Sequence, residues 1–543
     1  MDTPFPNQPP PYEGTNLFRT DVALREAVAR EGAAHAQDAL DRWGATVGTA
    51  EMFALADAAN RHPPELRALD RRGERIDAVE FHPAWDALMR VATTAGLHCA
   101  PWVAPGSGAQ VVRAAMYFLY AQVENGTQCP LTMTFASVPV LAHHAAGSPW
   151  LARALVADYD PRPLPVTAKR AALFGMGMTE RQGGSDVRAN RTLAVADGDG
   201  AWRLTGHKWF YSAPQCDAHL VLAQAERGLT CFLLPRFLPD GTRNAVRLVR
   251  LKDKLGNRSN ASAEVEFDGA LAHPVGEPGR GIATILEMVQ HTRLDCVVGS
   301  AGMMRGALGW ALHHAAHRIA FGRRLVDQPL MTAVLADLAL EVEGATALTL
   351  RLARAFDTPA DAPDRALARI VTPAAKYWTC KRAPMVALEA MEVLGGNGYV
   401  DETPLPRLYR EAPVNSIWEG SGNVVCLDVL RAVQREPAAR DALVAELRAA
   451  HGAHRDLDRH ADALVAELAA GAPAPARARG LAQAIALALS ASVLVRHAPP
   501  FVADAFCATR LRGDAPFGGA AFGVLPAGTD AAAIVRRAGA PTG

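Results

Sequence analysis

The chain has 543 residues, half of them apolar, and carries 56 basic and 56 acidic side chains for a formal charge of zero. That length suits roughly three to four domains, and the even balance gives no global cue for nucleic acid or a membrane surface. Eight cysteines are scattered at 99, 129, 216, 231, 296, 380, 426 and 507 without a Cys-x-x-Cys pair, which argues against a structural zinc site and against a disulfide scaffold, so no metal is expected.

Residues 1–15 are rich in Pro, Gly and Asn, are expected to be extended, and lack the basic-then-apolar pattern of a signal peptide. No window approaches the ~18 uninterrupted apolar residues of a membrane span, so a cytoplasmic protein without a membrane partner is expected. From Thr20 the pattern turns helical, with Leu24, Ala27 and Val28 on one face and Glu26 and Arg30 on the other. Helical stretches are expected to about residue 170, including 53–59, 85–93, 109–124 and 138–145, broken at Pro63-Pro64, Pro105-Gly106 and 161–165. Between about 175 and 280 the period switches to two. Strands are expected at 191–195, 201–209, 218–225, 229–235, 246–251 and 263–268, separated by turns such as Arg227-Gly228 and Pro239-Asp240-Gly241. Helices return at about 282, with long segments starting near 285, 329 and 373. After Leu430 the composition shifts: residues 431–543 hold thirteen Arg and no Lys against ten acidic residues, a surplus of three positive charges. An apolar helix is expected at 481–495, and the last ~15 residues are expected to be loosely ordered.

This order of helices, strands and helices argues for segregated domains and against an alternating β/α sheet. The expected fold is mainly α with a central β-domain: an N-terminal helical domain at 1–174, a β-barrel or sandwich at 175–281, a four-helix bundle at 282–433, and an extra C-terminal helical domain at 434–543. No Gly-x-Gly-x-x-Gly follows a strand, so a Rossmann site is not supported.

Four stretches carry residue types suited to chemistry. In 415–423, Asn-Ser-Ile-Trp-Glu-Gly-Ser-Gly-Asn, Glu419 stands between the Trp418 ring and a small-residue turn. A carboxylate beside an apolar ring at a helix entrance suits proton abstraction from carbon. Gly420 and Gly422 let a planar ligand approach, and Ser421 is placed to cap the next helix; the same residues also read as a plain helix cap with a solvated glutamate. In 175–186, Thr179, Ser185 and backbone N–H groups among four glycines suit flavin carbonyls or phosphate oxygens, unless this is an ordinary loop before a strand. In 206–212, aromatics beside a hydroxyl suit either a flavin face or cross-strand packing. Gly395-Gly396-Asn397-Gly398, after a helix, reads on its own as a C-cap.

Together and in this order, the stretches resemble the acyl-CoA dehydrogenase family. Thr179-Glu180 with Gly184-Ser185-Asp186 matches its Thr-Glu-x-x-x-Gly-Ser-Asp signature, and Gly206-x-Lys208 with Phe210 and Ser212 matches the strand that lies against the flavin. Arg318-Ile-Ala-Phe321-Gly322 resembles the Arg-x-x-Phe-Gly motif that reaches the FAD of a neighbouring subunit, and 394–399 resembles the glycine motif on that FAD's ADP part. Ile417-Trp418-Glu419-Gly420 resembles the segment whose glutamate takes the α-proton of an acyl thioester. The resemblance therefore implies FAD contacts at Met178, Thr179, Gly184, Ser185, Phe210, Ser212, Arg318, Phe321, Gly395, Gly396, Trp418, Gly420, Ser421 and Asn423, with Glu419 and Arg293 catalytic. Arg293 reads equally as a helix-surface ion pair. Phe210 stands where the family usually has Trp, Glu392 where it has Gln, and Trp418 where Tyr is common, which speaks against long-chain acyl-CoA substrates.

Asn7-Gln8-Pro9, the run 81–85, Gly175-Met176-Gly177-Met178 and Asn415-Ser416-Ile417-Trp418 are similar to the AidB branch, which is linked to the adaptive response to DNA alkylation. That resemblance implies an FAD-containing homotetramer with weak or restricted acyl-CoA dehydrogenase activity, associated with double-stranded DNA. Arg431, Arg435, Arg448, Arg455 and Arg459 are the expected phosphate contacts. Against this stands pairing of those arginines with acids on their own helices. The alternative function is a metabolic short- or branched-chain acyl-CoA dehydrogenase without a DNA role.

Overall fold

A computed structural model of the chain describes residues 7–198, 200–358, 362–471, 473–512 and 521–539. In chain order the described helices are α1 (Val22–Val28), α2 (Gln37–Val47), α3 (Ala50–Arg61), α4 (Pro83–Thr94), α5 (Ala100–Val103), α6 (Ala109–Ala121), α7 (Gln128–His144), α8 (Pro149–Ala154), α9 (Gly281–His317), α10 (Pro329–Ala355), α11 (Pro363–Val393), α12 (Leu405–Glu411), α13 (Gly422–Arg435), α14 (Pro437–Arg448), α15 (Arg455–Ala469), α16 (Ala478–His497), α17 (Pro500–Arg510) and α18 (Ala531–Arg537). The strands are β1 (Glu65–Leu69), β2 (Arg75–Glu80), β3 (Phe174–Gly177), β4 (Leu193–Gly198), β5 (Ala201–Ser212), β6 (Ala218–Ala225), β7 (Gly228–Pro235), β8 (Val246–Leu251), β9 (Ser262–Val275), β10 (Ile319–Ala320) and β11 (Arg323–Arg324). Contacts divide the chain into two compact units. One comprises the chain up to Phe53, Gly106–Val123 and everything from Arg293; the other comprises Ala54–Pro105 and Glu124–Thr292.

The second unit is built on a mixed sheet that closes on itself. β6 pairs with β4, β4 with β5, β5 with β9, β9 with β7, and β7 returns to β6, while β3 adds in parallel to β6 and β8 to β9. The β4–β6 step of the ring is a single pair, Leu193 with Gln224. The interior is filled by Leu204, Tyr211, Val221, Phe232, Leu248, Val265 and Phe267. β3 lies where the sequence suggested only a glycine-rich loop. Its Gly175 lets the strand pass the His219 ring, since a Cβ there would sit 2.1 Å from Nε2. Burial holds His219 neutral, its imidazolium form disfavoured down to about 3.

The same unit contains a hairpin, β1–β2, in a region expected to be helical. Its turn is closed by the Asp70 side chain, which accepts from Arg72 N (2.8 Å) and Glu74 N (2.9 Å). Asx turn chemistry, rather than the apolar period, decides this stretch.

The first unit is helical. α1 buries Leu24, Ala27 and Val28 as their spacing requires, and Asp21 caps it by accepting from Leu24 N. α11 runs unbroken from Pro363 to Val393 through Pro373 and Pro384, so the long segment expected to start near 373 begins a full ten residues earlier. The apolar stripe of Leu367, Ile370, Val371, Ala374 and Ala375 is buried on both sides of Pro373, and packing overrides the proline's cost of ~3 kcal/mol. α16 packs against α10, α11, α13 and α14. The segment Pro475–His497 is apolar and long enough to cross a membrane, yet 72% of its most apolar window is buried inside the protein, the pattern of a core helix.

The C-terminal stretch is anchored into this unit by arginines. Arg510 is fully buried and pairs with Asp337 (2.5 Å) and Glu341 (3.1 Å). Arg537 on α18 pairs with Glu343 (2.8 Å) and with Glu26. The last residues before Gly539 are therefore a docked helix, not the loosely ordered end that the composition suggested; residues 540–543 lie outside the described residues.

A fully buried ion pair pins the barrel: Lys208 Nζ on β5 donates to Glu180 (2.8 Å) and to Leu222 O (2.7 Å). Burial opposes the Glu180 charge, but Lys208, Arg191 N and Thr192 outweigh it and hold the carboxyl down at about 2. A depressed carboxyl contributes stability that is complete above its unfolded value near 4.5 and lost as pH falls through about 2. Urea unfolding across pH 7 to 2.5 should show this loss. Glu180→Gln, which strands Lys208 as an unpaired buried cation, should cost about 3–5 kcal/mol at pH 7 and flatten the acid limb.

Candidate active site

In the second unit, the Thr179 loop and the Phe210 strand are tied together by a bulge. β5 pairs Lys208 with Val265 and Tyr211 with Ala263, so three steps on β5 oppose two on β9. The extra residue reverses the in–out alternation. Leu204 and Lys208 face inward at even positions, whereas past the bulge Tyr211 takes the inward place. Phe210, which strict alternation would bury, is turned outward and is 51% exposed. Trp209 N has no β9 partner in this register and donates instead to Thr179 O (2.9 Å). Lys252 Nζ sits 3.6 Å from the Trp209 ring centroid and 4.8 Å from that of Phe210.

The loop itself is shaped by Glu180, whose carboxylate also accepts from Arg191 N (2.7 Å) and Thr192 Oγ1 (2.6 Å). Glu180 of the Thr-Glu signature is thus an anchor for its neighbours. Thr179 and Met178 are half-buried, while Gly184 and Ser185 are exposed. Gly184 packs on Thr179 so closely that a Cβ would lie 2.3 Å from Oγ1. Asn190 Nδ2 donates to Met178 O (2.9 Å). Ser212 is half-buried with its Oγ 3.5 Å from Ser262 Oγ.

In the first unit, Glu419 lies in the turn between the 3-10 segment Ala412–Ser416 and α13, with φ +57°. This left-handed backbone is costly for a residue with a Cβ. Three successive carbonyls explain how it is held. Lys376 Nζ donates to Trp418 O (2.6 Å) and Gly420 O (2.5 Å), and Arg293 Nε donates to Glu419 O (3.0 Å). Arg293 also pairs with Asp428 (2.6 Å), which Arg369 grips from its other oxygen (3.0 Å). Gly420, at φ +96°, leaves room for Arg293 Nη2, which would lie 3.3 Å from a Cβ there. The Trp418 indole donates to Asn415 Oδ1 (2.9 Å), and Asn415 donates to Ser300 (3.1 Å).

Arg293 is therefore a buried residue bonded to the backbone of Glu419, and not the helix-surface ion pair that its sequence context equally allowed. Ser421 occupies the N-cap position of α13, but its side chain makes no capping bond and is exposed. Asn423 Oδ1 accepts from Arg479 Nε (2.8 Å). Lys376 and Asp428 were missed by sequence reasoning. The available signal was a charged residue inside an apolar helical run, Ala374-Ala375-Lys376 and Val425-Cys426-Leu427-Asp428-Val429.

Elsewhere in the first unit, β10 and β11 form a two-residue hairpin whose tip is Phe321 (φ +52°) and Gly322 (φ +76°), as a type I′ turn requires. Phe321 is 98% exposed. Arg318 Nη1 donates to Asn7 O (2.7 Å), and the Asn7 side chain bonds both Ile319 N (2.6 Å) and Ile319 O (2.7 Å). Gly395, at φ +60°, and Gly396 are exposed in a 3-10 turn with open space where a Cβ would project.

Each unit by itself carries groups that suit a flavin nucleotide. In the second, the exposed Phe210 ring and the hydroxyls and N–H groups of the Thr179–Ser185 loop suit the ring system; in the first, Gly395-Gly396 offers bare backbone that a phosphate or planar group can approach.

The chain matches three family models: the adaptive response protein AidB N-terminal domain over residues 7–161, the acyl-CoA dehydrogenase middle domain over 175–270, and the acyl-CoA dehydrogenase C-terminal domain over 279–434. It is 50% identical over 508 residues to AidB of Escherichia coli (strain K12), covering 93% of this chain and 94% of that protein. It is 31% identical over 444 residues to acyl-CoA dehydrogenase family member 11 of Caenorhabditis elegans, covering 78% and 70%. Among solved structures, Caenorhabditis elegans ACDH-11 in complex with C11-CoA superposes with a TM-score of 0.85 at 27% identity over 94% of both chains. Bd2924 in its apo form superposes with a TM-score of 0.81 at 29% identity, covering 91% of this chain and all of that one.

The backbone of Glu419 gives a direct test of strain at this position. Replacing a left-handed non-glycine residue by Gly relieves roughly 1–2 kcal/mol, against which glycine's extra unfolded-state freedom sets about 0.5–1 kcal/mol. Glu419→Gly is expected to leave stability unchanged or raise it by up to about 1 kcal/mol, whereas Glu419→Ala, which keeps the Cβ, gains nothing from this source; denaturant unfolding of both variants decides it.

Proposed function

The chain belongs to the acyl-CoA dehydrogenase family as an FAD-dependent oxidoreductase of the AidB type, and from that premise we propose that it desaturates an acyl-CoA thioester with Glu419 as the base. The observation that carries this reading is the left-handed Glu419, held at an energetic cost by two buried cations acting on the main chain. Strain of this kind is kept where a side chain must point in one direction. Glu419 removes the proton from the carbon α to the thioester carbonyl. The neighbouring Trp418 ring is fixed through Asn415. Arg293 positions Glu419 through its carbonyl. Bound FAD supplies the acceptor for the β-hydride. Met178, Thr179, Gly184, Ser185, Phe210 and Ser212 are the proposed flavin contacts in the second unit; in the first unit, Trp418, Gly420, Ser421 and Asn423 are proposed as flavin contacts.

We assign Arg318, Phe321, Gly395 and Gly396 to the FAD of another copy in a homotetramer. An apolar ring left 98% exposed at the tip of an ordered hairpin supports that reading, because covering a Phe side chain is worth roughly 1.5–3 kcal/mol.

DNA association is the second part of the proposal, in keeping with protection from alkylation damage. Arg431, Arg435, Arg448 and Arg455 are exposed and, among the described residues, form no ion pair; Arg459 pairs with Asp456 at 3.1 Å. Two of the five acids that could neutralise them, out of Glu436, Asp441, Glu446, Asp456 and Asp458, are engaged elsewhere: Glu436 with Arg369, and Glu446 with Arg351 and Arg496. Arg455 and Arg459 are one turn apart on α15, as are Arg431 and Arg435 on α13, which favours shared contact with phosphates. The reading without DNA, a metabolic short- or branched-chain acyl-CoA dehydrogenase, rests on the same Glu419 geometry.

Two experiments test these assignments. Glu419→Gln should lower acyl-CoA-dependent flavin reduction by about 10²–10⁴-fold with FAD retained; reduction at the wild-type rate overturns the base. For DNA, replacing all five arginines by Gln should weaken binding of a labelled duplex in a salt titration and reduce the log–log slope by about 0.9 for each phosphate no longer neutralised. A duplex affinity and slope equal to those of the wild type overturn the assignment of these arginines. Truncation is a poor substitute, since α16 and Arg510 belong to the core of the first unit.

A further inference from the structure

We propose that Lys376 is the positioning residue of the catalytic base, setting the direction of the Glu419 side chain through the two peptide carbonyls that flank it; this rests on the assignment of Glu419. Lys376 is 1% exposed at the middle of α11. Its ammonium meets two main-chain carbonyls, Trp418 O at 2.6 Å and Gly420 O at 2.5 Å, and no side-chain carboxylate among the described residues. That is an unusual environment for a buried cation. A buried charge is expensive unless it is paired and hydrogen-bonded, and the barrel shows the ordinary solution, Lys208 against Glu180. A Met at 376 would fill the same volume without that cost.

The arrangement is explained by what it fixes. Residues 418, 419 and 420 present their carbonyls to cations in succession, with Arg293 taking the central one. Two points bound on either side of Glu419 and a third on it determine the turn of the peptide planes there. The left-handed φ of +57° follows from that capture, and the Cα–Cβ direction of Glu419 is set with it. Arg293 alone fixes the 419–420 peptide and leaves the carbonyls of Trp418 and Gly420 free to rotate. Among the described residues no backbone N–H reaches the carbonyls of Trp418 and Gly420, so both need a donor from elsewhere. Lys376 satisfies both of these main-chain acceptors, and it does so from a different helix. Reach and direction are coupled to the packing of α11 against α13.

The test is Lys376→Met, with Lys376→Arg as the conservative variant, in the FAD-loaded full chain. In a crystal structure of Lys376→Met, Glu419 should leave the left-handed region. The kcat for acyl-CoA-dependent flavin reduction should fall about 10²-fold, as expected for a displaced catalytic group, with KM changed less than about threefold and FAD content unchanged. Lys376→Arg should recover a large part of kcat. If Lys376→Met does not fold, Lys376→Gln, which keeps two N–H donors and loses the charge, is read in the same two ways against Lys376→Arg. Glu419 remaining near φ +57° together with kcat within about twofold of wild type overturns the proposal. Full activity of Glu419→Gln would sink the base assignment instead, and the crystallographic φ of Glu419 then judges the role of Lys376 without reference to turnover.

Discussion

Two buried cations holding three consecutive peptide carbonyls are what the helical site depends on. A glutamate in the left-handed region is unfavourable in isolation, and among the described residues no backbone N–H bonds the carbonyls of residues 418–420. Lys376 and Arg293 supply the missing donors from α11 and α9. Arg293 is held in turn by Asp428 on α13, Asp428 by Arg369 on α11, and Arg369 by Glu436 at the end of α13. The direction of one carboxylate is therefore determined by charges on three helices, and a shift in any of them reaches it. Burial opposes the charge of Asp428, yet Arg293 and Arg369 keep that carboxyl below the usual range, so Asp428 stays ionised at neutral pH.

The barrel solves its own placement problem by a different route. One extra residue in β5 changes which side chains face in, and it does this just before Phe210. The N–H that the bulge releases is used to hold the Thr179 loop, so the loop and the exposed ring are fixed by one irregularity. Lys208 and Glu180 keep the strand and the loop in register beneath it. Both units thus place a buried lysine near the residues assigned to chemistry, one paired with a carboxylate and one committed to backbone.

Much of this was legible in the sequence where the rule was local and periodic. The strands at 218–225 and 246–251 fall where alternation placed them, and the family resemblance correctly carried the fold and the flavin. The failures have physical causes. The β1–β2 turn is made by an aspartate side chain that a search for apolar period does not weigh. Pro373 sits inside α11 because packing on both sides exceeds its local cost. Phe210 faces out because of a bulge that no composition signal announces. Counting thirteen C-terminal arginines overstated a surface charge: Arg510 and Arg537 are structural, bonded to acids of α10. Lys376 was invisible because its partners are peptide carbonyls, which every residue has.

The central claim is that Glu419 is a base aimed at a carbon acid, and hydrogen exchange at that carbon tests it most directly. The FAD-loaded protein is incubated with saturated acyl-CoA thioesters of several chain lengths in deuterated buffer, without an electron acceptor, and the α-carbon is followed by mass spectrometry and NMR. The account predicts deuterium at the α-position of at least one thioester, at a rate well above that of buffer and lost in Glu419→Gln. Incorporation no faster than in buffer for every thioester, or equally fast with Glu419→Gln, would contradict it.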